Sequence, residues 1–565
     1  MHNQPFKTNI NLKTTKLKLL FSLSASFILF SCGPKESNTD TNETVMEVGY
    51  ERVNANTNAN ADKVLDLYAY GMAITKGLKC TDPASWYYQG SMHSVPPRDE
   101  IEGPTVELCA PYNSIAPLKA WNSCPHMYPT HQQLNFLTWH RLYIYYYERN
   151  IRHHIANGGA GLPGLGDSIA SQFSLPYWDY TDQGEMPKPF TQESYSFETV
   201  KLAKNPLYEI GRSPTLMKQL PIDYNSTDSI AVTLPDGSVK NLCIKTMQQA
   251  LDISDFLSLP DVSEFSRGLE DRLHNVMHDY IGGAVDSLDL THDLYNRIYQ
   301  STKSGFGLMG QIPSAGFDPI FFLHHANVDR MFAAWEATYG PITIEDMNTY
   351  AGKWDSIKHI YQFWDTPTDS WVTYNSMQEM LDAAHDIDYT YEQLPTVPQK
   401  MLSAKQKAKA TQLLHEEVKK MPEVLDEVGK PHAIPLVKAQ GLKANAGEVR
   451  YTIEVNLKFG RNMFQQLAVF SIPSNMDWNA CNLDDAFVHG ITAVFGSTHP
   501  MEHAGHSMGA MVNGQEFSHT FVFDVTEAVR KLPAGEALEV YVVPMNTKNG
   551  PDFYLTEIKL YEHTF

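Results

Sequence analysis

His274 and His278 lie four residues apart in Leu269-Glu-Asp-Arg-Leu-His274-Asn-Val-Met-His278-Asp-Tyr-Ile-Gly-Gly283. On a helix that spacing sets both imidazoles on one face, a turn apart, where two nitrogens can reach one metal ion. A third ligand must come from elsewhere. The pair His324-His325 follows on its own apolar, helix-prone run, Asp318-Pro-Ile-Phe-Phe-Leu-His324-His325-Ala-Asn-Val-Asp329-Arg330. A similar layout comes earlier, with His93, His126, His131 and His140 around strongly aromatic stretches. A single His-x-x-x-His is a coincidence in most long chains, and a lone buried histidine is usually a hydrogen-bonded core residue. Several such features together point to two three-histidine clusters and so to two metal ions.

Zinc hydrolysis is the first chemistry to test. Asn275 stands where a His-Glu-x-x-His protease carries its general base, and zinc catalytic sites commonly include a carboxylate or thiolate ligand. Neutral imidazoles in an apolar shell suit copper better. Two copper ions, each changing by one electron, can share one molecule of O2.

These stretches resemble the tyrosinase / polyphenol oxidase / hemocyanin family of type-3 copper proteins, from about Ser85 to Trp335. The resemblance implies two copper ions with O2 as co-substrate. It implies that His274, His278 and His325 hold the second copper, since the family's ligand lies four residues before Asp329, with His324 a structural neighbour. The first copper would take His93, His140 and one central histidine. The family's usual spacing of nine residues before the helical ligand selects His131. Its Cys-x-His pattern, with a thioether joining the pair, selects His126 beside Cys124. An insertion, Met127 to His131, separates the two criteria, and looping it out is easier than moving a crosslinked cysteine, which favours His126.

The same resemblance gives Glu270 and Asn275 the task of holding a water that takes the proton from an incoming phenol, work that needs a carboxylate within one water's reach. It sets Asp279 at the substrate entrance and Ile312 over the second copper, where a branched aliphatic leaves the mouth relatively open. The implied activity is a tyrosinase that hydroxylates small monophenols to o-diphenols and oxidises these to o-quinones. The alternatives are a catechol or o-aminophenol oxidase without monophenolase activity, or a hemocyanin-like O2- or copper-binding protein.

The elements that must position these groups read as follows. Ser85 to His93 is an aromatic helix ending on its histidine, and Phe136 to Glu148 is a helix too aromatic to face water. Leu175 to Tyr180 is extended, forced by Pro176. Residues 185–260 read as loops, Gly305 to Gly316 as a loop, and the His324-His325 helix runs to about Tyr339. Glu148 and Asp329, on ligand-bearing helices, could anchor Arg141 or Arg330 or orient imidazoles, or form ordinary packing ion pairs. From Glu448 the pattern alternates: Val449 to Leu457, Leu467 to Ile472, Thr520 to Val525, Leu538 to Val543 and Phe553 to Leu560 are strands.

The expected fold is therefore α+β and multidomain. A mainly α catalytic domain (62–394), with a four-helix bundle holding two coppers, is followed by a Lys/Glu/Gln-rich linker (395–447) and an all-β, sandwich-like domain (448–565). The loop His499 to Met511 is rich in soft and imidazole ligands. By resemblance, the β domain could shield the site and keep the enzyme latent until the linker is cut.

With 565 residues, 42% hydrophobic and 19% charged, the chain can bury a large core. A net charge of −21 argues against nucleic acid as a partner. Lys13, Lys16 and Lys18 precede an apolar run, Leu19 to Phe30, too short to span a bilayer. The following Leu29-Phe-Ser-Cys32 resembles a bacterial lipobox. Residues 1–32 are accordingly expected as a lipoprotein signal, Cys32 as the lipid anchor on an outer membrane, and 33–61 as a solvated tether. An exported chain can form disulfides.

Overall fold

The computed structural model describes residues 50–94, 119–120, 123–124, 132–181, 185–209, 212, 229–233, 237–243, 254–259, 261–282, 308–310, 312–346, 361–398, 410–424, 432–438, 449–459, 465–473, 488–494, 517–532, 536–544 and 553–564. Cys32, His126, His131, the 499–511 loop and the Asp279 side chain lie outside the described residues. No described helix is long and apolar enough to cross a membrane.

The helices that carry or brace the histidines are α1 (Ala61–Gly77), α2 (Trp86–His93), α3 (Gln132–Asn157), α4 (Val262–Gly268), α5 (Asn275–Gly282) and α6 (Ile320–Tyr339). Between α4 and α5 the helix continues through one π turn, Leu269–His274. α3 lies at the centre: α1, α4 and α6 all pack on it. Its apolar face of Phe136, Trp139, Tyr143, Tyr147, Ile151 and Ile155 is buried, recurring every three or four residues.

Local sequence explains where these helices begin and end. Ser85 caps α2 by accepting from the Tyr88 amide, and Asp261 caps α4 by accepting from the amides of Ser263 and Glu264. α6 starts behind Pro319 and stops at Gly340, whose φ of 87° is open to glycine but strained for other residues.

Behind α6 sits a buried ion network. Asp329 accepts from Arg141 at 2.6 Å, from Arg52 at 3.4 Å and from the hydroxyls of Tyr389 and Tyr391. Glu148 takes Arg52 at 2.8 Å and Arg152 one turn along α3. The Arg52 guanidinium also lies 3.6 Å from the Tyr389 ring centre. So Glu148 and Asp329 are indeed ion-paired, Asp329 to Arg141 as expected but Glu148 to arginines not foreseen, while Arg330 turns to Asp179 at 2.7 Å.

This network corrects the N-terminal boundary. Strand β1 (Tyr50–Arg52) pairs in parallel with β2 (Tyr389–Tyr391), and Arg52, Val53 and Ala55 are buried, so residues 50–61 are not a solvated tether. The asparagines here shape turns: the Asn54 and Asn58 side-chain oxygens accept from the amides of Asn56 and Asn60.

Removing Arg52 would take one of two arginines from each of Glu148 and Asp329 and leave the buried network one positive charge short. Arg52→Met is expected to cost about 3–5 kcal/mol, read from the denaturant midpoint. Burial pushes Glu148 and Asp329 up, but the arginines outweigh it and hold both below the usual carboxylate range. A depressed folded-state pKa contributes stability above the unfolded value of about 4 and loses it as pH falls. Acid unfolding should therefore set in below about pH 5, and at higher pH in the variant.

The C-terminal region forms two antiparallel sheets. With β3 (Ala410–Val424), β4 (His432–Lys438), β5 (Val449–Phe459), β6 (Gln465–Pro473), β7 (Val488–Val494), β8 (Phe517–Asp524), β9 (Ala537–Pro544) and β10 (Phe553–Thr564), the orders are β4-β9-β6-β7 and β8-β5-β10-β3. Ile453, Val455, Val469, Phe523, Val540 and Ile558 from both sheets share one apolar cluster, the arrangement of a sandwich. The other face of the first sheet contributes Phe470, Ile472, Tyr541 and Val543 to the helical core.

Two of these strands, β3 and β4, lie where a linker was expected. β3 is an edge strand, and its charges suit that position: Glu416 pairs with Lys559 across the ladder. β4 is the other sheet's edge and tolerates Pro435 for the same reason. Pairing with a partner strand overrode a composition that read as solvated. Two hairpins, 229–243 and 361–374, also stand where no strand was foreseen.

Candidate metal centre

Five elements bring the histidines together. α2 ends on His93, α3 carries His140 in its third turn, the π turn ends on His274, and α5 carries His278 one turn later. α6 brings His324 and His325. All six rings are buried. Two groups result, each with its ligand atoms within 4.8 Å of one another: His274, His278, His324 and His325, and His93, Cys124 and His140. The groups adjoin, since the His140 and His325 rings stack with centres 4.2 Å apart.

Four of the imidazoles, those of His93, His140, His274 and His278, have an oxygen set against Nδ1. Backbone carbonyls stand against Nδ1 of His140 (Phe136 O, 2.8 Å), His278 (Met309 O, 2.9 Å) and His93 (Ile312 O, 3.2 Å). The Asn275 side-chain oxygen stands 2.8 Å from His274 Nδ1. An Nδ1–H donating to such an acceptor fixes the tautomer with its lone pair on Nε2, the form a metal requires.

Close backbone approaches hold the carbonyls in place. A Cβ on Gly282 would fall 1.9 Å from the Gly310 nitrogen, beside the Met309 carbonyl that meets His278. A Cβ on Gly316 would lie 3.0 Å from the Gly90 carbonyl and from His93 Cβ. These glycines let the backbone approach the ligand helices.

Burial, and then the neighbouring imidazoles, push His325 well below its ordinary pKa, and burial pushes His324 down to about 3. Both are neutral at pH 7 with lone pairs available. Nitrogen ligands without a carboxylate, in an apolar aromatic shell, fit copper. Copper is thus accommodated by both groups as far as the described residues go.

The structure places His93 and His140 in one group and His274, His278 and His325 in the other, with His324 beside the latter three. Cys124 is buried, a free thiol 3.7 Å from His140 Nε2. Cys80 is disulfide-bonded. Glu270 and Asn275 flank His274 on the π turn and at the start of α5, both buried. Ile312 is 6% exposed, so its position is not an open mouth here, and its carbonyl serves His93.

Sequence reasoning missed the π turn, which has no residue signature but commonly marks functional sites. It also missed what covers it. β7 packs on the π turn and α5. His519 on β8 pairs with Asp271 at 3.0 Å, and Arg450 on β5 joins Glu264 to Asp524.

Comparison with known proteins agrees with this geometry. The family model for the common central domain of tyrosinase matches residues 83–338. A tyrosinase of Hahella sp. (strain CCB-MM4) is 24% identical over 297 residues, spanning 49% of this chain and 52% of its own length. The chloroplastic polyphenol oxidase of Malus domestica is 26% identical over 294 residues, spanning 49% of this chain and 39% of its own. The chain thus spans about half or less of the length of the curated relatives it matches. Among solved structures, latent aurone synthase (polyphenol oxidase) aligns over 91% of this chain and 89% of its own, with a TM-score of 0.54 at 18% identity. Latent apple tyrosinase aligns over 91% and 97%, with a TM-score of 0.51 at 17% identity. At those identities the likeness shows a shared fold.

Proposed function

Since this chain belongs to the tyrosinase / polyphenol oxidase family, we propose that it is a phenol oxidase that hydroxylates small monophenols at the ortho position and oxidises the resulting diphenols to o-quinones. The family uses a dinuclear copper site with O2. The observation that carries the reading is the adjoining pair of buried imidazole groups, joined through the His140–His325 stack. Bound there, the copper pair supplies the one-electron redox changes and the activation of O2.

The chain's own groups bind, orient and move protons. His93, His140, His274, His278 and His325 would hold the metals, with a central histidine, His126 or His131, completing the first site. Glu270 precedes His274 by one turn, so its carboxylate can take the phenolic proton through a water, while the Asn275 amide helps hold that water and its oxygen steadies His274. Asp279, which follows His278 in the sequence, is the acidic group that the family resemblance sets at the substrate entrance.

The test is oxygen uptake by the copper-loaded chain with tyrosine and with its ortho-hydroxylated product. Uptake with both supports the proposal. Uptake with the diphenol alone reduces it to a catechol oxidase, and none with either, before or after the C-terminal sheets are cut away, sinks the enzyme reading.

The C-terminal sheets act as a shield in this proposal. β7 lies on the helix that carries His274 and His278, and the Arg450–Glu264 and His519–Asp271 pairs fasten the sheets to it. If access requires the sheets to leave, the rate scales with the open fraction. Trimming the chain after Pro398 should then raise kcat/KM for a diphenol by about tenfold or more. Equal rates before and after trimming would remove the shielding role.

A further inference from the structure

The C-terminal sheets meet the helix of His274 and His278 through ion pairs of two kinds. Arg450 on β5 joins Glu264 of α4 to Asp524 of β8, and an arginine stays charged at any working pH. The other pair sets His519 of β8 against Asp271 of the π turn, Nε2 to Oδ1 at 3.0 Å, and an imidazole is charged only when protonated. Resting on the reading of the sheets as a shield, we propose that His519 is a pH-operated latch. Its imidazolium holds β8 on the π turn at neutral and lower pH, and its deprotonation as pH rises loosens the sheets from the helix.

The placement of His519 carries this. Side chains alternate along a strand, and the row that holds His519 continues as Phe521 and Phe523, both buried in the apolar cluster of the sandwich. At the end of that row the histidine leaves the apolar interior and reaches a carboxylate 248 residues back in the chain. The Asp271 side chain is only 5% exposed, against 23% for His519. A buried carboxylate is costly unless paired, and here its partner comes from the shield. While the imidazole is charged, docking sets two opposite charges together. Once it is neutral, docking buries the carboxylate against a neutral donor, a weaker contact by about half. Undocking, which returns Asp271 to water, then becomes the easier course.

The surroundings of His519 agree in sign. Burial opposes the imidazolium; Asp271 on the π turn favours it through charge and hydrogen bond, Glu270 favours it too, and Arg267 on α4 opposes it. β5 sets the uncharged Leu457 opposite His519, and the Phe521 ring lies 4.5 Å away on β8 itself. His489 of β7, which also packs on the π turn, is turned to the Ser471 hydroxyl. The carboxylates prevail and hold His519 above its ordinary pKa in the docked state. A pKa raised by docking strengthens docking fully below the free imidazole's value of about 6.5, and that strength is lost as pH rises through the docked value. The Arg450 bridge behaves oppositely: burial raises Glu264, so this bridge weakens on the acid side. Loosening toward alkaline pH is therefore the mark of His519.

The test uses the full, copper-loaded chain and amide hydrogen exchange, which reads the contact without reading catalysis. Protection of residues 262–274 and 517–524, expressed against intrinsic exchange at each pH, is followed from about pH 6 to about pH 9. The unmodified chain is compared with His519→Gln, which is never charged, and His519→Arg, which always is. The expected result is a loss of protection of about three- to tenfold in both segments of the unmodified chain as pH rises. His519→Gln should show the lower protection at every pH, and His519→Arg should keep the higher one throughout. Constant protection in the unmodified chain overturns the latch, as does the same alkaline loss in His519→Arg. A loss confined to β8, with the π turn still protected, also overturns it. If His519→Gln fails to fold, the unmodified chain and the arginine variant decide the matter. Rates before and after trimming test the shield separately. A pH-dependent contact with equal rates supports the latch and removes the shield, whereas a gain on trimming with a pH-independent contact keeps the shield and overturns the latch.

Discussion

Replacing His274 by glutamine is expected to leave one copper per chain and to lower phenol oxidation on the order of 10³-fold. The estimate follows from the several kcal/mol of charge stabilisation that a catalytic metal supplies, at 1.36 kcal/mol per decade of rate. His274 is chosen because it ends the π turn, lies 4.4 Å ring to ring from His278 and has its Nδ1 engaged by Asn275. The variant should remain folded, because an amide can still meet the Asn275 side chain. Full activity, or loss of both coppers with loss of structure, would show that His274 is not a ligand of one defined ion.

Glu270→Gln should separate the two halves of the proposed reaction. A general base contributes about 10²–10⁴-fold, so monophenol hydroxylation should fall by that factor. Diphenol oxidation, whose substrate loses its protons more readily, should fall much less. Glu270 is 7% exposed and lies one turn before His274, so the substitution keeps shape and removes only charge. An equal loss on both substrates would make Glu270 a structural residue, and no loss on either would exclude it as the base.

What could be read from the sequence divides along physical lines. The i, i+4 spacing of His274 and His278 reports a helix face directly, and the aromatic density around His140 reports burial, so the helical site was legible. The strands 449–459, 465–473, 517–524, 537–544 and 553–564 were legible because apolar residues alternate or run continuously there. Strands β3 and β4 were not, because edge strands carry charges and proline, which composition reads as linker. The π turn was hidden because Leu269–His274 is compatible with an ordinary helix. Arg52 was missed because its partners, Glu148, Asp329 and Tyr389, are 96 to 337 residues away (148 − 52 = 96; 389 − 52 = 337).

Glu148 and Asp329 show the same limit from another side. Helix positions predicted that they would meet arginines, but only the folded chain shows Asp329 shared between Arg141, Arg52 and two tyrosines. That sharing ties β1, β2 and α3 to α6, the helix that presents His325. The stability of the metal centre and that of the buried network are therefore one property of α6.

The central claim is that buried imidazoles on separate helices hold a pair of coppers. Elemental analysis of the copper-loaded, dialysed chain tests it most directly. The account predicts two copper ions per chain, falling to one in His93→Gln. One closed zinc that copper does not displace, or a copper content unchanged by His93→Gln, would contradict it.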